Sequence, residues 1–269
     1  LGNGRIGAMV FGDPAHEQFQ LNEETVWGGS PYNNTNPKAK DALPRIRQLI
    51  FEGKNAEAQA LCGPTICSQS ANGMPYQTVG TLHLDFDGIS NYNDYYRDLD
   101  IEKAVTTTRF TANGVTYTRE AYTSFPDQIL VIRLTASQKK SISFTAKYTT
   151  PYKENVVRCI SPRKELQLNG KANNHEGIEG KVEFTALTRI ENSGGNLEVL
   201  SDSTLQVKNA NSVTLYVSIG TNFVNYKDVS GNAQATAQKY LANVNKNYTK
   251  SKAAHINTYQ KFFNRVSLD

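Results

Sequence analysis

The stretch from Ile101 to Tyr148 constrains the fold most tightly. It holds four runs in which apolar and polar residues alternate, Ala104 to Thr111, Val115 to Tyr122, Gln128 to Ala136 and Ser141 to Tyr148. Alternation at period 2 puts one side of an extended chain in a core and the other toward water. The runs are rich in Thr, Val and Ile, whose branched Cβ suits a pleated surface. Asn113-Gly114 joins the first two, and only residues tolerant of positive φ make such a two-residue hairpin. The other joins are short and polar, so the segment is predicted to be a four-strand antiparallel meander.

The rest of the chain carries similar signals. Ile6 to Phe11, a run through Phe19 and Leu21, Val79 to Phe86, Glu165 to Leu168, Val182 to Ile190, Asn196 to Leu200, Thr204 to Lys208 and Val213 to Ile219 read as short strands. Helical spacing occurs in Lys38 to Gly53, Lys54 to Cys62, Ala233 to Val244 and Ser251 to Phe263. Strands and helices do not alternate, which excludes a doubly wound α/β fold. The predicted class is mainly β, an antiparallel, supersandwich-like β-sandwich with a helical insertion at about 38–63 and helices at the C-terminus. The domain reading is a sandwich over 1–228 and a helical linker over 229–269.

Charge and cysteine narrow the function. Between Lys227 and Arg265 lie seven basic residues and one acid, Asp228, so the net charge of +4 belongs to this segment. A nucleic-acid site would set such cations among stacking aromatics on a groove or sheet, whereas this segment has helical spacing; it reads as a solvated or partner-facing helical surface, and no nucleic-acid partner is expected. The longest apolar runs are about the length of Ile129-Leu130-Val131-Ile132, far short of the ~20 residues of a membrane span, and none is expected. Cys62, Cys67 and Cys159 are an odd number with no zinc spacing; a local Cys62–Cys67 bridge and free thiols both fit.

The remaining motifs lack their required contexts. Gly2-Asn3-Gly4-Arg5-Ile6-Gly7 spells a dinucleotide fingerprint, but no strand precedes it and a strand follows it, so it reads as a glycine turn and no cofactor is expected. Ser161-Pro162-Arg163-Lys164 spells S-x-x-K with a proline where a helix is needed. The four histidines, His16, His83, His175 and His255, have no metal spacing, and Asp85 and Asp87 read as a turn before Gly88; no metal is expected. Asn22, Glu23, Glu24 and Trp27 form the most chemically loaded stretch, carboxylates beside the only Trp. Consecutive residues in an extended chain point to opposite faces, so Glu23 and Glu24 cannot form one acid–base pair. They read as a carboxylate capping backbone amides and a loop pinned by Trp27, bordering a pocket at most.

Seven ordered motifs resemble glycoside hydrolase family 95, the α-L-fucosidases. They are Leu1 to Gly12, Leu21 to Pro31, Phe51 to Gln59, Pro75 to Gly80, Tyr96 to Asp100, Val115 to Glu120 and Phe125 to Gln128, followed by a similar ending from His255 to Asp269. The resemblance spans essentially the whole chain. It implies an N-terminal β-sandwich, a helical linker, an (α/α)6 barrel and a C-terminal β domain. It places inverting hydrolysis in the barrel, where a Glu acts as general acid and Asn and Asp help to activate water. It implies that the chain stops before that barrel, so no catalytic residue is expected here and the fragment alone is expected to be inactive. The partners it implies are the catalytic barrel of the same polypeptide and a fucosylated glycan, and the location it suggests is periplasmic or secreted. The competing reading is a free-standing carbohydrate-binding module with Tyr92, Tyr95 and Tyr96 as its stacking platform.

Overall fold

The computed structural model describes residues 1–68 and 73–267; Leu268 and Asp269, which end the last motif, lie outside the described residues. Fourteen strands form two antiparallel sheets among the described residues. In chain order they are β1 (Ile6–Val10), β2 (His16–Glu23), β3 (Gly80–Asp85), β4 (Asn93–Asp100), β5 (Val105–Ala112), β6 (Val115–Ser124), β7 (Ile129–Ala136), β8 (Ile142–Thr149), β9 (Asn155–Ile160), β10 (Glu165–Lys171), β11 (Glu183–Ser193), β12 (Asn196–Ser201), β13 (Thr204–Ala210) and β14 (Ser212–Thr221). One sheet has six strands in the order β1-β2-β3-β8-β13-β12; the other has eight, β4-β5-β6-β7-β14-β11-β10-β9. Inward side chains of both sheets, among them Phe19, Leu82 and Phe144 facing Phe110, Leu130, Ile132 and Phe184, form one apolar core. The mainly-β sandwich predicted from the sequence is the fold observed.

Each half of the alternation argument has a visible cause. At the β5–β6 hairpin Ala112 pairs with Val115, and Asn113 and Gly114 both hold positive φ, 52° and 73°. In β7, Leu130 and Ile132 face the core, while Ile129 and Val131 join a second cluster under the C-terminal helices with Tyr122, Leu187, Tyr216, Ala237 and Leu241. β7 is apolar on both sides because both of its sides are covered. The meander needs one correction: β5, β6 and β7 pair in sequence, but β8 crosses to the other sheet and pairs with β3 and β13. The neighbour of β7 is β14, whose residues from Val213 to Thr221 are all buried. β8 carries Ser143, Thr145 and Lys147 on its second side, which suits the six-stranded sheet, whose outer face meets solvent. β4 and β9 show little alternation because they are the edges of the larger sheet and mostly exposed.

The helices are α1 (Ala39–Phe51), α2 (Asn55–Thr65), α3 (Ala233–Ala242) and α4 (Tyr248–Phe263). α1 and α2 share a small cluster of Ile46, Leu49 and Ala58 apart from the main core. Asn232 and Asn247 cap α3 and α4, their side chains accepting from the amides of Ala235 (2.8 Å) and Lys250 (3.1 Å). α3 packs on β14 and β11, and α4 on β6. No helix of the described residues is long and apolar enough to cross a membrane. Cys62, Cys67 and Cys159 are free thiols.

α4 is held by a polar seam. Tyr248 and Lys252 both reach Glu120, and Ser251 joins the Tyr122 hydroxyl (3.0 Å) and Asp127 (3.1 Å). His255 is buried, stacked on Tyr122 at 4.7 Å with Tyr259 on its other side at 6.3 Å. Its Nε2 lies 3.0 and 3.2 Å from the carbonyl oxygens of Lys103 and Ala104, so Nε2 carries the hydrogen; Nδ1 has no partner among the described residues. Burial pushes the imidazole pKa down, and Lys252 adds to this against the pull of the carbonyls. The unfolded chain therefore takes up this proton first as pH falls through about 6.5, and folding loses up to ~1.4 kcal/mol per pH unit below that. Hydrogen-exchange protection of α4 amides is expected to fall as the pH drops below about 6.5, with that of β7 falling less. Equal loss in both elements would show that His255 does not set the response.

Candidate functional site

One end of the sandwich gathers the residues that the sequence singled out. The Gly2–Ile6 turn begins it. Asn3 Oδ1 accepts from the amides of Arg5 (3.1 Å) and Ile6 (2.9 Å), and its Nδ2 donates to the Ser124 carbonyl (2.9 Å). Gly4 holds φ at 93°, which an L side chain rarely adopts. The chain then enters β1, so the glycine pattern is a turn feeding a strand, as its context indicated.

Arg5 leaves this turn and ties it to four elements, β2, β7, β14 and α3. Nε donates to Gln128 Oε1 (2.9 Å) beside the start of β7, and Nη1 donates to the Ile219 carbonyl (2.7 Å) near the end of β14. Nη1 lies 3.5 Å from Glu23 Oε1 at the end of β2, and the guanidinium sits 4.1 Å from the Tyr240 ring centroid on α3. Glu23 is buried; its Oε2 accepts from the Thr25 amide (2.8 Å) and hydroxyl (2.6 Å). Burial raises its carboxyl pKa, and the Thr25 bonds and Arg5 only partly offset this. Thr25 also meets Thr221 at 2.6 Å, joining the β2 and β14 ends.

The loop after Glu23 is fixed by backbone and ring contacts. Trp27 Nε1 donates to the Glu24 carbonyl (2.8 Å), and the indole meets Tyr76 edge-on at 5.2 Å. The Gly28 amide donates to the Pro75 carbonyl and the Gly29 amide to that of Asn173, both at 2.9 Å. Beside this loop lies a mostly apolar cavity of about 280 Å³, bounded by Trp27, Tyr32, Met74, Val182, Phe223 and Tyr226. Trp27, Phe223, Val224 and Tyr226 are exposed, as are Phe125 on the β6–β7 turn and Phe262 of α4, whose rings lie 5.9 Å apart. The Asn3 and Arg5 contacts place these loops at the same end of the molecule.

Of the four predicted pocket-bordering residues, only Trp27 lines the cavity. Glu23 turns inward to Arg5, Glu24 is exposed, and Asn22 lies on the opposite side of β2 from Glu23, paired with Gly7. Glu23 and Glu24 therefore do not face each other. The tyrosines do not make a flat platform: Tyr92 and Tyr95 are tilted by 51°, and the Tyr95 hydroxyl donates to the Gly12 carbonyl (3.0 Å). Asp85 is held by Lys147 (3.0 Å) and His16 (3.1 Å); their bonds outweigh its burial and keep its carboxyl below the usual range. Lys164 reaches the Leu197 carbonyl (2.6 Å) from a turn, not a helix. No group of three or more His, Cys, Asp or Glu side chains is placed to hold a metal among the described residues. Sequence reasoning missed Arg5 and the Phe223–Tyr226 loop; the one signal for the latter is a pair of aromatics directly after a strand.

Removing Arg5 leaves the Glu23 charge buried without its cation. Arg5→Met is expected to cost about 3–5 kcal/mol of folding stability, read from urea unfolding by Trp27 fluorescence. Glu23→Gln with Arg5→Met is expected to recover part of that loss, and additive losses would show that the two are not coupled.

The chain is 31% identical over its full length to Alpha-L-fucosidase 2 of Arabidopsis thaliana and covers 34% of it. It is 27% identical, again over its full length, to a Probable alpha-fucosidase A of Aspergillus niger and covers 35% of that protein. It thus spans about a third of the length of these curated relatives. A putative kojibiose phosphorylase from human microbiome superposes over 96% of this chain and 38% of its own, at 11% identity and a TM-score of 0.42. Residues 1–226 match the family described as glycosyl hydrolase family 65, N-terminal domain, and the chain belongs to that family.

Proposed function

We propose that the chain is the non-catalytic N-terminal domain of a glycan-degrading α-L-fucosidase, packing on and supporting an (α/α)6 barrel that carries out inverting hydrolysis of α-L-fucosides. The observation that carries this reading is the apolar end around Trp27, Phe125, Phe223, Tyr226 and Phe262. Monomeric surfaces seldom gather so many large apolar side chains at one end without a partner. The names of the α-fucosidase relatives, three times as long as this chain, support a downstream domain as that partner. The ending of α4 beside Phe125 directs the polypeptide toward the same end, so residues 229–269 act as the linker and 1–228 as the sandwich. A periplasmic or secreted location accords with a glycan substrate.

The carboxylates support an accessory role. An inverting glycosidase needs two carboxyl groups roughly 6.5–9.5 Å apart across a substrate and a water. Glu23 is committed to Arg5 and Thr25, on the far side of the chain from Glu24. The chain alone is expected to release no fucose from 2′-fucosyllactose and no nitrophenol from an aryl α-L-fucoside. In the full-length enzyme, Phe125→Ser with Phe262→Ser is expected to lower stability by about 1.5–3 kcal/mol per buried ring, with a much smaller change in the isolated chain. Equal melting shifts in both, or hydrolysis by the chain alone, would overturn the proposal.

A further inference from the structure

A second surface lies away from the apolar end. α3 covers β14 and β11 but stops short of β10 and β9, leaving a trough on the outer face of the larger sheet. Two cavities of about 610 and 430 Å³ lie along it, and Gln234 of α3 borders both. Each has the size of a small-molecule site. The floor of the first carries Asn169 and Thr185, cross-strand partners whose side chains hydrogen-bond (Thr185 Oγ1 to Asn169 Oδ1, 2.9 Å). Asn155 and Asn232 stand at its rim, and the half-exposed Val156 supplies an apolar patch. In the second cavity Glu165 and Arg189 neutralise one another at 2.7 Å.

Between them on β10 sits Gln167, fully buried and on the same side as Glu165 and Asn169. Its Nε2 donates to Asn169 Oδ1 (2.7 Å), but its Oε1 has no partner among the described residues. Gln167 borders neither cavity, but its bond and that of Thr185 together hold the Asn169 amide with Oδ1 occupied twice, which leaves Asn169 Nδ2, at the first cavity, as a fixed donor for a ligand. The ligand has to match this chemistry. Side-chain amides and hydroxyls both donate and accept, as do sugar hydroxyls, and acidic and basic groups along the trough nearly balance, which favours neither an anion nor a cation.

We infer that the α3–β10 trough binds an extended neutral oligosaccharide, one sugar unit in each cavity with hydroxyls on Asn169, Thr185 and Gln234. The site is independent of the docking end and lets a non-catalytic domain hold part of a glycan.

The test is ¹⁵N chemical-shift titration of the chain with four neutral trisaccharides: 2′-fucosyllactose, maltotriose, cellotriose and mannotriose. At least one is expected to give saturable shifts confined to residues 153–156, 165–171, 183–189 and 231–242. Gln234→Ala, at a helix surface, and Asn169→Ala are each expected to weaken that binding at least tenfold, while Trp27→Ala leaves it unchanged. No saturable shift with any of the four overturns the inference. So do shifts centred on Tyr92–Tyr96, or binding that Trp27→Ala abolishes, which would move the saccharide site to the tyrosine strand or the docking end.

Discussion

The middle of the eight-stranded sheet has no side that tolerates water. β7 is apolar on both faces over residues 129–132 and β14 is buried on both, so the sheet is stable only when both faces are covered. The six-stranded sheet covers one, with Phe19, Leu82 and Phe144. α3 and α4 cover the other, with Ala237, Leu241 and the Tyr248 ring packed near Tyr122 and Tyr216. The C-terminal helices are therefore part of the sandwich's own packing even if they also lead elsewhere. Their basic residues lie on the side away from the sheet, apart from Lys252, which is drawn back to Glu120.

Two arginines convert this layered packing into a fixed end geometry. Arg119 is buried against Phe86, 4.0 Å from its ring centroid, and joins Glu17 (3.2 Å) and the carbonyls of Asp13 and Pro14. It holds the β1–β2 turn to β6. Arg5 does the same at the opposite end of β2 for β7, β14 and α3. In both cases burial disfavours the carboxylate and a guanidinium, helped at Glu23 by the Thr25 bonds, offsets part of that cost while its other donors reach backbone carbonyls. Positioning of the Trp27 loop follows from the second of these networks.

Where one face of a strand is wet, the sequence carries the structure plainly: β3, β5, β6 and β13 alternate, and the Asn113-Gly114 turn is legible from two letters. Helices α1 to α4 are legible within a few residues from spacing and caps. Strand partners are less so. That β8 leaves β7 depends on β14 competing for the same edge some seventy residues later, which no local pattern encodes. β4 and β9 are set by pairing along one edge, so their side chains carry little periodicity. At the candidate site, the opposed directions of Glu23 and Glu24 follow from extended geometry, and the pinned Trp27 from its loop. Arg5 was hidden because its hydrogen-bond partners, Gln128 and Ile219, lie more than a hundred residues away and its own neighbours are glycine and isoleucine.

The crossing of β8 has a mechanical outcome. The polypeptide visits the small sheet for β1 to β3, the large one for β4 to β7, returns for β8, and passes back and forth again before closing with β14. The layers are stitched together by five such passages, so neither can be peeled away as a subunit of its own. Tension applied through α4 reaches β6, on which the helix packs, and β6 is held in a sheet that is tied to the other layer at five points. A scaffold with that property passes strain from one neighbour to another without dissipating it.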